Sequence, residues 1–214
     1  MTSQRALYVL GGGDHARVVL DALLLSGIAP SGVIDPALAL GDEVLNVPVV
    51  SLDTLLSQHV DEVSLVNGVG GRNDNSRRNN VFAEYTNLGF RFIGVTHPAA
   101  NIARDCQIHQ SVQVMAGSVI QQQTTIGENS VVNTACVVEH DCHIGASCFL
   151  GPRVVLSGRV HIESSVFVGT GAIVLPGITV GAKSTIGAGA VVTRDVPAGV
   201  TVVGNPARAV QEPS

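Results

Sequence analysis

The sequence predicts an α/β chain in two parts. Residues 1–100 form a Rossmann-like βαβ domain, and residues 101–214 form a parallel β-helix of six-residue repeats. Three observations carry this reading. An aliphatic residue recurs at every sixth position from Ile102 to Val192 without interruption. A small or β-branched residue follows four positions later in each repeat. Before residue 100 that period is absent, and short apolar runs alternate with glycine turns and helical faces.

In the first part, Ala6–Leu10 reads as a strand and Gly11-Gly12-Gly13 as the turn after it. Asp14 is placed as a helix N-cap, and Ala16, Val19, Leu20 and Leu23 line one face of a helix that Gly27 closes. Residues 33–34 are a second strand ending at Asp35, and 51–58 a short helix. Val63–Asn67 is a third strand running into the turn Gly68-Val69-Gly70-Gly71. Residues 75–88 are a helix with Val81, Phe82 and Tyr85 on one side, and 91–93 a last strand before His97-Pro98. Strand, glycine turn, helix, strand, acid is the order of a nucleotide-binding βαβ unit. The glycine run ends in Ala16 rather than in the strict third glycine. Alone it fits a ligand site or a bare tight turn. Asp35, about 20 residues on, is placed to bond a ribose hydroxyl.

Composition narrows the class. Apolar residues make up 45% and aromatics 3%, with no tryptophan, so the core is aliphatic. The net charge of −5 speaks against a nucleic-acid or anionic-membrane partner. No apolar stretch approaches the ~18 residues needed to span a bilayer. The apolar run at Ala6–Leu10 is short for a signal peptide, so a cytoplasmic location is expected. In that compartment Cys106, Cys136, Cys142 and Cys148 are not expected to form disulfides.

In the second part the first positions of the repeat run Ile102, Ile108, Val114, Ile120 and onward to Val192, all Ile, Val or Leu. Glycine recurs at the second position, at Gly127, Gly145, Gly151, Gly169, Gly181 and Gly187. Six residues suit a two-residue strand and a turn, not a helix, and such units bury their apolar faces only by stacking. All four cysteines fall at the fifth position, where a small inward residue is wanted, so they read as packing. Paired C-x-x-C spacing is missing, and no metal is expected.

The order of G-x-G-x-H-A-R-V-V at Gly11–Val19, Asp35, His97-Pro98 and then uninterrupted hexads resembles the bacterial sugar O- and N-acetyltransferases of the sialic acid O-acetyltransferase type. That family belongs to the hexapeptide-repeat acyltransferases and includes acetyltransferases of nucleotide-linked 4-amino sugars. The resemblance spans nearly the whole chain. It implies a left-handed β-helix with three hexads per coil, so that residues 18 apart stack at the strand spacing of about 4.8 Å. It also implies acetyl-CoA as co-substrate, a nucleotide-linked amino sugar in the first domain, and a homotrimer with active sites between subunits. Gly11, Gly13, Asp14, His15, Asp35 and Gly70 are then the expected sugar-nucleotide contacts.

The segment from Asn133 to Gly145 matches the family's active-site coil. Histidine suits removal of a proton from a sugar ammonium, since its reference pKa is ~6.5. By resemblance His140 is the general base and Asp141 the acid that orients it. Gly158, 18 residues after His140, offers a backbone N–H to the thioester oxygen. Asn133 is a substrate-side candidate. For the donor the matching positions are Thr170, Ala188 and Arg208. Phe149 stands where relatives often carry a histidine, and is expected to pack on the pantetheine arm. His143 and His161 are also 18 apart and are expected on the surface. The expected reaction is N-acetylation of a nucleotide-linked 4-amino sugar. O-acetylation of a sialic acid or similar sugar is the alternative, and a non-catalytic sugar-nucleotide-binding scaffold is the alternative of another class.

Overall fold

The computed structural model of the protein describes residues 5–71 and 75–210. It divides into two units, one of residues 5–70 and 76–98, the other of 71, 75 and 99–210.

The first unit opens with β1 (Ala6–Leu10) and α1 (Asp14–Leu25). Next come β2 (Gly32–Ile34), a hairpin of β3 (Glu43–Val44) and β4 (Val47–Pro48), and α2 (Leu52–Leu56). After a single 3₁₀ turn the chain forms β5 (Val63–Asn67), α3 (Ser76–Asn87), β6 (Arg91–Phe92) and β7 (Val95–Thr96). The central sheet runs β2-β1-β5-β6, all parallel. Leu7 to Leu10 are buried throughout, as an apolar run in a parallel sheet should be. The chain leaves β1 for β2 on one side and returns to β5 on the other. That makes a topological switch point at the carboxyl end of β1, where such sheets bind ligands.

Helix α1 forms because Ala16, Val19, Leu20, Ala22 and Leu23 recur on one face, and all are buried. Its N-cap is Gly13, not Asp14 as expected. Asp14 is the first helical residue and lies 3.8 Å from Arg17 one turn on. Gly27, at φ 74°, ends the helix, and the Ile28 N–H reaches back to the Leu23 carbonyl. In α2 the Ser51 hydroxyl accepts from the Thr54 N–H, which sets its start. The β3–β4 hairpin escaped the sequence reading because Leu45 and Asn46 turn it with positive φ and no glycine marks the place.

The second unit is a parallel β-solenoid built from sixteen two-residue strands between Asn101 and Val192. Partners lie 18 residues apart, as in Val119↔Val137, His143↔His161 and Phe149↔Phe167. The first position of each hexad points inward, and from Val114 to Val192 every one is buried. The fourth position carries positive φ from Gly117 to Gly189 without a gap, so every corner turns through the left-handed region. Asn129, Asp141 and four glycines take that corner comfortably. Glycine at the second position has a different cause. A Cβ on Gly145 or Gly151 would stand 2.8 Å from the backbone nitrogen of Ser164 or Thr170 on the next coil.

The fifth position is more than filler. Ser118, Thr124, Ser130, Cys136, Cys142 and Cys148 each donate to the carbonyl 15 residues on, at 2.8–3.2 Å. Each coil is thus pinned to the next by a side chain as well as by the strands. All four cysteines are free. Burial pushes the thiols of Cys136 and Cys142 up to about 11 and that of Cys148 to about 12.

The three sides of the solenoid differ in what they turn outward. The first carries Val119, Val137, Val155, Ile173 and Val191, an aliphatic ladder left partly exposed. The second carries Gln107, Thr125, His143, His161 and Thr179. The third carries Val131, Phe149 and Phe167, and on it Asn75 is anchored by donating to the carbonyls of Ser147 and Val166. After Val192 the period breaks, and Thr185 pairs with Thr201. Arg208–Ala209 then folds back antiparallel on Thr201–Val203.

Candidate active site

His140 is the third residue of its hexad and sits on the corner joining the first and second sides of the solenoid. Asp141 follows at φ 58° in the left-handed corner, which turns its carboxylate back on its neighbour. His140 Nδ1 and Asp141 Oδ2 are 2.6 Å apart. In the pairing of a neutral imidazole with an ionised carboxylate, Nδ1 donates to Asp141 and Nε2 is left with the lone pair. Both side chains are close to half exposed.

Gly158 stacks one coil away on the same corner. A Cβ there would come within 2.8 Å of His140 Nε2 and 2.9 Å of Cε1. The φ of Gly158 lies outside the left-handed region, so the backbone does not demand glycine; the imidazole does. Among the described residues nothing accepts from the Gly158 N–H. The corner thus brings together a ring nitrogen with a free lone pair and an open backbone donor.

Asn133 lies one coil side away. Its Oδ1 accepts from the N–H of Thr134 at 2.8 Å, which steadies the turn. Thr170 and Ala188 are exposed third-position residues that stack on the corner joining the third and first sides. They therefore edge the first side opposite His140, and within one chain they are not gathered with it. Arg208 is exposed, its guanidinium donating to the carbonyl of Ala207. Phe149 departs from expectation. It is buried, stacked on Phe167 at 5.7 Å, and a Cβ on Gly71 would touch its ring at 2.8 Å. It belongs to the packing of the second unit and offers no open face to a donor.

His143 and His161 stack with ring centroids 4.7 Å apart, as the 18-residue register requires. Burial, and then the charge of His161, lowers the pKa of His143. Among the described residues no three His, Cys, Asp or Glu side chains converge as a metal site.

In the first unit the predicted contacts cluster at the carboxyl end of the sheet. Gly11, at φ 99°, donates to the Ile34 carbonyl. Gly68 packs so closely on β1 that a Cβ there would sit 2.8 Å from the Gly11 carbonyl oxygen. Gly70 lies against His15, and Gly13 opens α1 with free space before it. Asp35 also has a role in the turn itself. Its two oxygens accept from the N–H groups of Gly12 at 2.7 Å and Ala37 at 2.9 Å, so it fastens the glycine turn to the loop after β2. Beside it opens a cavity of about 440 Å³, walled by Ile34, Leu38, Val50, Val69, Val81 and Tyr85. Arg77 and Glu84 of α3 also line it. No motif marks these two, since α3 reads as an ordinary amphipathic helix.

A hexapeptide solenoid bearing an oriented histidine beside an open backbone donor defines an acyltransferase of the hexapeptide class. The family described as bacterial transferase hexapeptide (six repeats) matches residues 124–158 and 159–194. Among solved structures the chain is similar to a GDP-perosamine N-acetyltransferase from Caulobacter crescentus in complex with CoA and GDP-perosamine. That match has 34% identity, 97% coverage of each chain and a TM-score of 0.89. It is also similar to the acetyltransferase domain of PglB from Neisseria gonorrhoeae in complex with acetyl coenzyme A, at 32% identity, 96% and 99% coverage, and a TM-score of 0.86. A third is WeeI from Acinetobacter baumannii, at 25% identity, 96% and 100% coverage, and a TM-score of 0.85. No curated protein matches by sequence. The chain belongs to the bacterial sugar acetyltransferase family of the hexapeptide-repeat acyltransferases.

Proposed function

We propose that this protein transfers the acetyl group of acetyl-CoA to the amino group of a nucleotide-linked 4-amino sugar. One observation carries the reading. His140 is held through Nδ1 by Asp141 while its Nε2 faces the glycine whose N–H is open. The relative with both CoA and GDP-perosamine bound supports the two substrates.

The amine of the sugar attacks the thioester carbon, forming a C–N bond. His140 Nε2 takes the amine proton, and the Asp141 carboxylate stabilises the imidazolium that results. Charge develops on the thioester oxygen, where the Gly158 N–H donates. Collapse breaks the C–S bond, and the CoA thiolate leaves with the proton returned by His140. No covalent acyl-enzyme is formed. Gly11, Gly13, Asp14, His15 and Gly70 surround the nucleotide, with Asp35 holding their turn in shape. Thr170, Ala188 and Arg208 contact CoA, and Asn133 supports the acceptor.

The protein works as a homotrimer in the cytoplasm, where acetyl-CoA and nucleotide sugars are made. The outward ladder Val119, Val137, Val155, Ile173 and Val191 is the natural contact between copies, since apolar strips of this kind mark association surfaces. His140 borders one edge of that strip, and Thr170 and Ala188 the other. Copies meeting across it would join the base of one to the donor edge of the next. No helix among the described residues is long and apolar enough to cross a membrane.

The test is acetyl-CoA turnover against GDP-, UDP- and dTDP-linked 4-amino sugars and free sialic acid. Acetylation of a nucleotide-linked amine, identified by mass spectrometry, supports the reading. Turnover only with a free sugar alcohol overturns it. His140→Ala should lose about 10²–10⁴-fold in rate with the trimer intact.

A further inference from the structure

The cavity at the switch point contains two carboxylates, and they are not equivalent. Asp35 is fixed in place, each oxygen accepting a backbone N–H. Glu84 is not a partner in any ion pair among the described residues, and it reaches the cavity from the exposed side of α3. Arg77, Val81, Glu84 and Tyr85 line the same cavity at spacings of four, seven and eight, which is one face of a helix. Arg77 and Glu84 lie two turns apart, about 10 Å along the axis. Arg77 lies in the first turn of the helix, and with Gly11 and Val69 it lines the cavity beside the glycine turns. Glu84 stands with Tyr85 further down the helix. Burial raises the Tyr85 phenol, and the negative charge of Glu84 adds to that shift. The walls between are apolar, from Ile34, Leu38, Val50 and Val81. The arrangement is an apolar slot for a flat ring, with a cation at the glycine-turn end and a lone acceptor group further along.

Resting on the proposed function of nucleotide-sugar acetylation, we infer that Glu84 reads the base and selects a guanine nucleotide. Guanine presents two adjacent donors, N1–H and the N2 amino group, which match the two oxygens of a carboxylate. Uracil and thymine present a single N–H between two carbonyl oxygens, and a carboxylate facing them meets at least one of those oxygens. Discrimination of this kind comes as much from the repelled base as from the accepted one. Arg77, at the opposite end, suits the diphosphate, for which a guanidinium is a planar two-pronged donor.

The probes are GDP, IDP, UDP and dTDP, bound to the intact protein and followed by calorimetry. IDP lacks only the N2 amino group of GDP. In the unmodified protein GDP should bind about 10–100-fold more tightly than UDP or dTDP, the range of one good bidentate base contact. IDP should fall between. Glu84→Ala should lose most of the GDP advantage and should bind GDP and IDP alike. Glu84→Gln, which keeps the size and one acceptor, should retain part of it. Equal binding of GDP and UDP by the unmodified protein overturns the inference. So does an unchanged GDP-to-IDP ratio in Glu84→Ala. If UDP or dTDP binds best, the assignment of Glu84 fails while the nucleotide-sugar reading stands. If none of the four binds, both fail. Glu84 is exposed, so its variants should keep the unfolding midpoint of the parent.

Discussion

Adding one methyl group at Gly158 tests the site with little disturbance elsewhere. The backbone of Gly158 is not left-handed, so alanine fits without strain and keeps the open N–H. Its Cβ would stand 2.8 Å from His140 Nε2, whereas ordinary contact begins near 3.4 Å. The ring must therefore retreat by about 0.6 Å or more, against the 2.6 Å bond that holds it to Asp141. Misplacement on the 1 Å scale costs on the order of 10²-fold in a positioned reaction. Gly158→Ala should then lower kcat by roughly 10–10²-fold, with KM for the sugar nucleotide little changed. The assay is thiol release from acetyl-CoA with a 4-amino nucleotide sugar, run also in a His140→Ala background. There the methyl meets no ring, and the second substitution should change the residual rate within about twofold. A Gly158→Ala enzyme with the parent's kcat would refute the placement of His140. An equal loss in both backgrounds would show that Gly158 acts without it.

Other expectations follow from the same geometry. Asp141→Asn keeps a residue suited to the left-handed corner, so the fold should survive. The ring would lose its anionic anchor, and kcat should fall about 10–10²-fold in a steady-state assay. Thiol titration of the native protein at pH 8 should find only Cys106 reactive. The thiolate is the reacting form, and pKa values of about 11 to 12 leave Cys136, Cys142 and Cys148 protonated until the pH rises past that range or the chain unfolds. Ile173→Glu puts a charge into the aliphatic ladder. Sedimentation should show monomers with activity lost together with assembly, and an active trimer would move the subunit contact elsewhere. Asn75→Ala leaves the carbonyls of Ser147 and Val166 without their side-chain donor and should cost about 1–3 kcal/mol in urea unfolding.

The solenoid was legible because its physics is periodic. Each hexad must supply one inward aliphatic residue and one small one, and any slip would have turned Val132 or Leu156 to solvent. The stacking of His140 on Gly158 followed from counting 18 residues. What counting could not show is contact across sequence distance. Nothing near Phe149 in the sequence says that Gly71 will lie over its ring. Nothing at Asp35 says that both oxygens will be taken by backbone donors, one of them 23 residues earlier. Gly13 displaced Asp14 as N-cap because capping depends on the φ and ψ of the turn as well as on side-chain preference. Glu84 was hidden for a related reason. A helix shows its buried stripe in the sequence, but whether its remaining face meets water or a cavity depends on the loops opposite.

Because successive rungs are spaced by whole strands, the solenoid works as a ruler as well as a scaffold. The coil of His140 and the coils of Thr170 and Ala188 are set apart in fixed steps of about 4.8 Å along the stack. An 18-residue insertion between them would preserve every corner, hydrogen bond and inward side chain, yet move the two edges of the first side by one full step. In the proposed assembly the donor would run from the Thr170–Ala188 edge of one copy to His140 of the next, and its length is set. Folding should tolerate such an insertion; if the proposed donor path from the Thr170–Ala188 edge to His140 holds, acetyl transfer should not, and coil number would then be tied to the length of the pantetheine arm.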